Sequence, residues 1–223
     1  MKKAIFYREW IKCRRVLFVL AAVYIGVLGY LFIDINQIFS NSPAVRIWNI
    51  LLNNETNLVS NFKWLSLLAG VALAVSQFVP EMVSKRYKLT LHLPMKENTI
   101  LFTLLGFGLM VITILSLVAL IAITICMSSV LASEFVVMAL MTVAPWILGG
   151  YCAYLLVSSI IIEPSWKRKI VLAIVTYFVV SLFYENQVLG AFAPALIPFA
   201  IAIIAMIVLP FSSTIRFKDS DEK

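Results

Sequence analysis

The sequence predicts an all-α, polytopic membrane protein. Six transmembrane helices follow an N-terminal interfacial amphipathic helix, and both termini are cytoplasmic. Three observations lead there. Of the 223 residues, 62% are hydrophobic and only 13% charged, with a mean hydropathy of +1.00; a soluble domain carries about a quarter charged residues. The apolar residues fall in runs long enough to cross a hydrocarbon core, which takes about 20 residues. The Lys and Arg residues collect in the gaps between alternate runs. No soluble core buries this much apolar surface, so lipid is the expected solvent, and the cell (plasma or inner) membrane the expected location.

In chain order, residues 1–15, MKKAIFYREWIKCRR, form the interfacial helix, and 16–223 the membrane domain. On a helical wheel Phe6, Tyr7, Trp10, Ile11 and Cys13 share one side, broken by Lys3 and Arg14, while Arg8, Glu9, Lys12 and Arg15 share the other. Such a helix lies in the headgroup layer, its aromatics inserted and its cations near anionic membrane lipid. Charges persist through Arg15 and no small-residue cleavage site follows the first apolar run, so this stretch does not read as a signal peptide.

Span one covers residues 16–33 and span two 64–82. The loop between them contains PAVRIWNILLNN, with Val45, Trp48 and Leu52 at helical spacing, which predicts a short helix in the opposite interface. Residues 99–162 form a 64-residue apolar block, too long for one helix. Its weak point is Ser128, Ser129, Ser133 and Glu134, where it folds into spans three and four. Residues 170–211 fold once more at YENQ, 184–187, giving spans five and six.

The charge distribution orients these spans. Six Lys or Arg residues precede span one, four separate spans two and three, three form KRK at 167–169, and three follow span six. That places 16 of the 18 on one side and leaves Arg46 and Lys63 opposite, so the positive-inside rule makes the basic side cytoplasmic. The net charge of +7 is thereby explained by topology, and no nucleic-acid partner is needed. Cys13, Cys126 and Cys152 are scattered without a CxxC, which disfavours both a metal site and a disulfide framework.

The spans contain little chemistry. Between their ends they hold no Asp, Glu, Lys, Arg or His; Glu81, Glu134, Glu163 and Glu185 all stand at span ends. Ionisable groups inside a bilayer are costly and mark proton or ion pathways. Their absence disfavours an ion-coupled carrier and an intramembrane enzyme. There is no GxxxxGK[ST] and no HExxH, and the single histidine, His92, lies in a loop. Catalysis is therefore not expected of this chain. Gly70 with Ala74, and Gly149 with Ala153, are small residues four apart that let helices approach closely. Pro80, Pro145, Pro194 and Pro198 are candidate kinks. Gln77, Thr103, Thr113, Ser116, Thr124, Thr142 and Ser158 are mildly polar, suited to helix–helix contact or to lining a path.

The stretch between spans two and three is different in kind. It runs PEMVSKRYKLTLHLP from Pro80 to Pro94, basic at first and then Leu-rich. The residues alone leave two readings, a charged loop obeying the positive-inside rule or a surface that a cytoplasmic partner grips. The pattern resembles the permease subunits of type-2 ATP-binding-cassette exporters. In that family a Glu near the end of span two precedes a short amphipathic helix, then a Leu-rich turn ending in Pro that leads into span three. The six-span layout and the basic, aromatic segment FYREWIK at 6–12 match as well. Where the family often has Gly opening a GT segment, this chain has KRYKLT.

The resemblance implies that residues 81–98 form a coupling hairpin docking on a separate cytoplasmic ATPase subunit. The gripping residues would be Glu81, Lys85, Arg86, Tyr87, Leu89, Leu91, Leu93 and Pro94, with EPSWKRK at 163–169 as a smaller second contact. It implies further a second permease copy or homologue, ATP bound only by the partner, no cofactor on this chain, and export of a lipophilic or amphipathic compound. The alternatives are a membrane scaffold or assembly subunit that transports nothing, and an ion-coupled secondary carrier.

Overall fold

A computed structural model describes residues 2–41, 59–83, 97–185, 190 and 192–219. Within these the chain is helical, with no strand: α1 (Lys2–Asn41), α2 (Leu65–Val83), α3 (Glu97–Ser128), α4 (Ser133–Ile162), α5 (Trp166–Tyr184), α6 (Leu196–Met206) and α7 (Val208–Asp219). Helices satisfy every backbone N–H and C=O within one segment, which hydrocarbon demands because it offers no partner of its own. Five segments are long and apolar enough to cross a membrane: α1, α2 with its preceding 3₁₀ turn, α3, α4, and α6 with α7 taken together.

Two breaks fall at the polar residues expected to make them, whereas α6 and α7 divide at Ile207, inside what was expected to be one span. The 99–162 block divides between Ser128 and Ser133, where Leu131 N–H bonds back to the Met127 carbonyl at 2.8 Å and Ala132 turns extended. α5 ends at Tyr184, at the start of YENQ. Gly190 adopts φ +73°, a backbone that glycine takes without a Cβ clash. Its N–H donates to Thr142 Oγ1 at 2.8 Å, fixing the return to α6. Pro80 and Pro145 lie inside α2 and α4, whereas Pro194 is the middle residue of a 3₁₀ turn and Pro198 falls in the first turn of α6, where no N–H is missed.

Two features differ from expectation. Residues 2–15 do not form a helix of their own: α1 runs unbroken for 40 residues, about 60 Å at 1.5 Å per residue, about twice the hydrocarbon thickness. Its inward face also differs. Glu9 and Cys13 are fully buried, whereas Tyr7, Trp10 and Ile11 point outward. The reason is that Glu9 is neutralised locally by Arg8 and Lys12 and can be buried, while the aromatics lose nothing by facing lipid. The second difference is α5. Lys167, Arg168 and Lys169 occupy its first turn and leave an apolar stretch of only about 22 Å.

The hub is α4, which touches α2, α3, α5, α6 and α7, its most extensive contact being with α2. Gly70 of α2 lies against the Gly150 backbone of α4, and Gly150 in turn against Ser66. Ser66 Oγ donates to the Ile147 carbonyl at 3.3 Å. These small residues bring two backbones together, the packing available when lipid makes apolar association indifferent. More than half of the apolar stretches of α2 and α4 are buried, but little of α1 or α6–α7. Phe18, Ile25, Ile121, Ile125, Ile201 and Ile204 form part of an exposed apolar exterior, the surface a bilayer solvates.

Candidate functional site

Contacts fix which helix ends lie together. Gln77 meets Tyr154 and Ser66 meets the Ile147 carbonyl, so α2 and α4 run parallel and their C-terminal residues, Glu81 and Glu163, share one end of the bundle. α1 runs antiparallel to α2, as Ser76–Cys13 and Phe62–Tyr24 contacts require, and delivers Arg8 and Lys12 to that same end. Lys63 lies at the opposite end, its ammonium 5.4 Å from the Trp64 ring centre.

Two clusters of buried carboxylates mark the basic end. In the first, Glu81 in the last turn of α2 lies 3.2 Å from Lys12 Nζ and 3.5 Å from Arg8 Nη2. Glu9, with no exposed side-chain surface, takes Lys12 at 2.7 Å and Arg8 at 3.2 Å. Among the described residues two acids and two bases thus balance, a condition for burying them at all, since an uncompensated buried charge costs several kcal/mol, about 3–5. The cluster binds α1 to α2 three residues before the segment 84–96. Periodicity gives Glu81 its place: it is on the same α2 face as Gln77, Ala74 and Gly70, the face turned to the bundle.

In the second cluster Glu163, fully buried where α4 ends, accepts from Arg216 Nε at 3.1 Å and Nη2 at 2.8 Å, both at Oε2. Ser165 Oγ donates to Oε1 at 3.4 Å, and Arg168 lies 3.9 Å away. This pair pins α7 to the α4–α5 connection. Trp166 beside it is exposed, with Lys169 Nζ 5.5 Å from its ring centre.

Of the gripping residues expected from the sequence, Glu81 is placed in the first cluster. Lys85, Arg86, Tyr87, Leu89, Leu91, Leu93 and Pro94 lie outside the described residues, as do His92 and the 45–52 interfacial helix.

A third polar group was only half visible in the sequence. Tyr154 Oη donates to Gln77 Oε1 at 2.8 Å, and Gln77 Nε2 donates to the Leu104 carbonyl at 2.7 Å, tying α4, α2 and α3 together. Gln77 stood out as polar; Tyr154 did not, because nothing in an aromatic-rich apolar run tells a buried tyrosine from a lipid-facing one. The threonines resolve differently. Thr103, Thr113, Thr124 and Thr142 each donate to the carbonyl four residues back in their own helix, and Ser158 to Leu155, so each donor is satisfied without a partner helix.

Towards the opposite end, α2, α4 and α5 enclose a cleft of about 370 Å³ lined by Trp64, Leu67, Val71, Ala153, Tyr177 and Tyr184, with Thr176, Ser181 and Glu185 as its polar members. Trp64 and Tyr184 stack there, centroids 5.4 Å apart and planes within 9°. Compared with known proteins, the chain matches no family model, no curated protein and no solved structure.

Proposed function

We propose that this chain is the permease subunit of an ATP-driven exporter. It works as a dimer with a second copy or homologue and is moved by separate cytoplasmic ATPase subunits that dock on residues 84–96. The observation that carries the reading is the Glu9–Arg8–Lys12–Glu81 cluster. A push delivered to 84–96 meets Glu81 three residues away, and Glu81 is ion-paired into α1 while its helix packs along α4. A force applied there moves three helices together instead of bending one loop. The basic end is the cytoplasmic end in this scheme, and α5 serves as span five, completing the six, its three cations held in the inner headgroup layer.

The permease binds no nucleotide itself. ATP closes the partner subunits, the paired hairpins approach, and the α2–α4 blocks of the two copies switch access from one side to the other. The aromatic, mildly polar cleft along α2, α4 and α5 suits an amphipathic compound. Transport is decided by copurification. Extracted from native membrane, the chain should bring a Walker-motif ATPase with it, and Tyr87→Asp with Leu89→Asp should remove that subunit while leaving the permease helical and dimeric. Isolation with no ATPase would overturn the proposal in favour of a scaffold; flux that follows an ion gradient and ignores ATP would favour a carrier.

A further inference from the structure

We propose that the cleft between α1 and α3 at the basic end is a binding site for one anionic phospholipid, its phosphate on Arg14 and an acyl chain along the cleft. The cleft encloses about 220 Å³. Trp10, Arg14, Leu17 and Ala21 line it from α1, at spacings that put them on one helix face, and Val111 and Leu115 line it from α3. Among the described residues Arg14 is the only charged member of this lining.

Its chemistry is graded with depth. Arg14 and Arg15 are the last charges before Asp34, so Arg14 stands where the apolar run begins, at the level of lipid headgroups. Ala21 is seven residues further along, about 10 Å deeper, among the first methylenes of an acyl chain. Trp10 lies on the aqueous side of Arg14 and is half exposed, the position an interfacial indole prefers. The cations of α1 are also differently used. Arg8 and Lys12 are held by Glu9 and Glu81, whereas Arg14 has no acidic partner among the described residues. A guanidinium takes a phosphodiester through two parallel N–H···O bonds. A zwitterionic lipid offers the same phosphate with a cation beside it.

Trp10 reports on the site directly. The protein is reconstituted with phosphatidylglycerol or phosphatidylcholine carrying brominated chains, and the quenching lost in Trp10→Phe is assigned to Trp10. The expected result is stronger quenching of that component by brominated phosphatidylglycerol, an apparent preference of about fivefold from one basic residue near the surface. Arg14→Gln should bring the two lipids level, Arg14→Lys should keep most of the preference, and Arg15→Gln should leave it intact. Ala21→Phe, which fills the cleft, should weaken quenching by both. Equal quenching in the wild type, or a preference that survives Arg14→Gln, would overturn the site. A preference abolished equally by Arg15→Gln would mean diffuse surface charge. Full competition by millimolar inorganic phosphate would mean an anion site with no lipid, and an Arg14→Gln dimer falling to monomers would give the cleft to a second copy.

Discussion

Replacing Gly70 by Ala tests the central contact of the bundle. A Cβ at position 70 would overlap the Gly150 carbonyl oxygen and stand 3.1 Å from its carbon and 3.3 Å from the Tyr154 backbone nitrogen. All three atoms are backbone, so no side chain can rotate away, and α2 must move off α4 as a whole. Separating them also strains the Ser66–Ile147 bond and the Gln77–Tyr154 bond on either side. Overpacking of this kind costs about 1–3 kcal/mol, and about 2 kcal/mol is roughly a thirtyfold change in the folding equilibrium. Gly106 of α3 is the matched control: a Cβ there meets nothing within 4 Å. Gly106→Ala should therefore be neutral, or stabilising by about 0.5–1 kcal/mol through helix propensity. The assay is reversible unfolding in mixed micelles at rising dodecyl sulfate fraction, read by circular dichroism. Equal midpoints for the two variants would refute the close α2–α4 approach.

Other outcomes follow from the polar ties. Tyr154→Phe leaves Gln77 Oε1 without its donor and should cost about 1 kcal/mol in the same unfolding assay, within the range for interhelical bonds in membranes. Arg216→Ala removes the nearest cation from fully buried Glu163 and should destabilise by about 3–5 kcal/mol, whereas Glu163→Gln with Arg216→Met together should recover most of it. A double-mutant cycle with no coupling would show that α7 is not held there. Glu81→Lys sets three cations together and should release α1 from α2 at a cost of about 3 kcal/mol or more. Faster hydrogen exchange along residues 2–15 is the direct readout.

The candidate site was legible in the sequence to unequal degrees. Glu81 was visible as a carboxylate at a span end, but its partners were not. Arg8 and Lys12 precede it by about 70 positions, and only helix packing brings them to it. Glu9 reads on a wheel as part of the polar, solvent-facing side, yet it is buried, because a carboxylate with two cations within reach enters a bundle as a neutral group. Glu163 had the same look of a solvated span end and was completed by Arg216, 53 positions on.

The sequence alone determined that lipid is the solvent, that the described chain is helical, and that helices end at 128–133 and at 184. These follow from hydropathy, run length and a few polar or glycine residues, all of which act locally. Only the tertiary structure decided that α4 is the hub, that the aromatics near the N-terminus face outward, and that Tyr154 meets Gln77. The physical reason is that a spanning helix is apolar on every side, so periodicity no longer marks an inner face. Which faces meet is settled by shape at Gly70 and Gly150, and by pairing between distant polar groups, neither of which a single run of sequence contains.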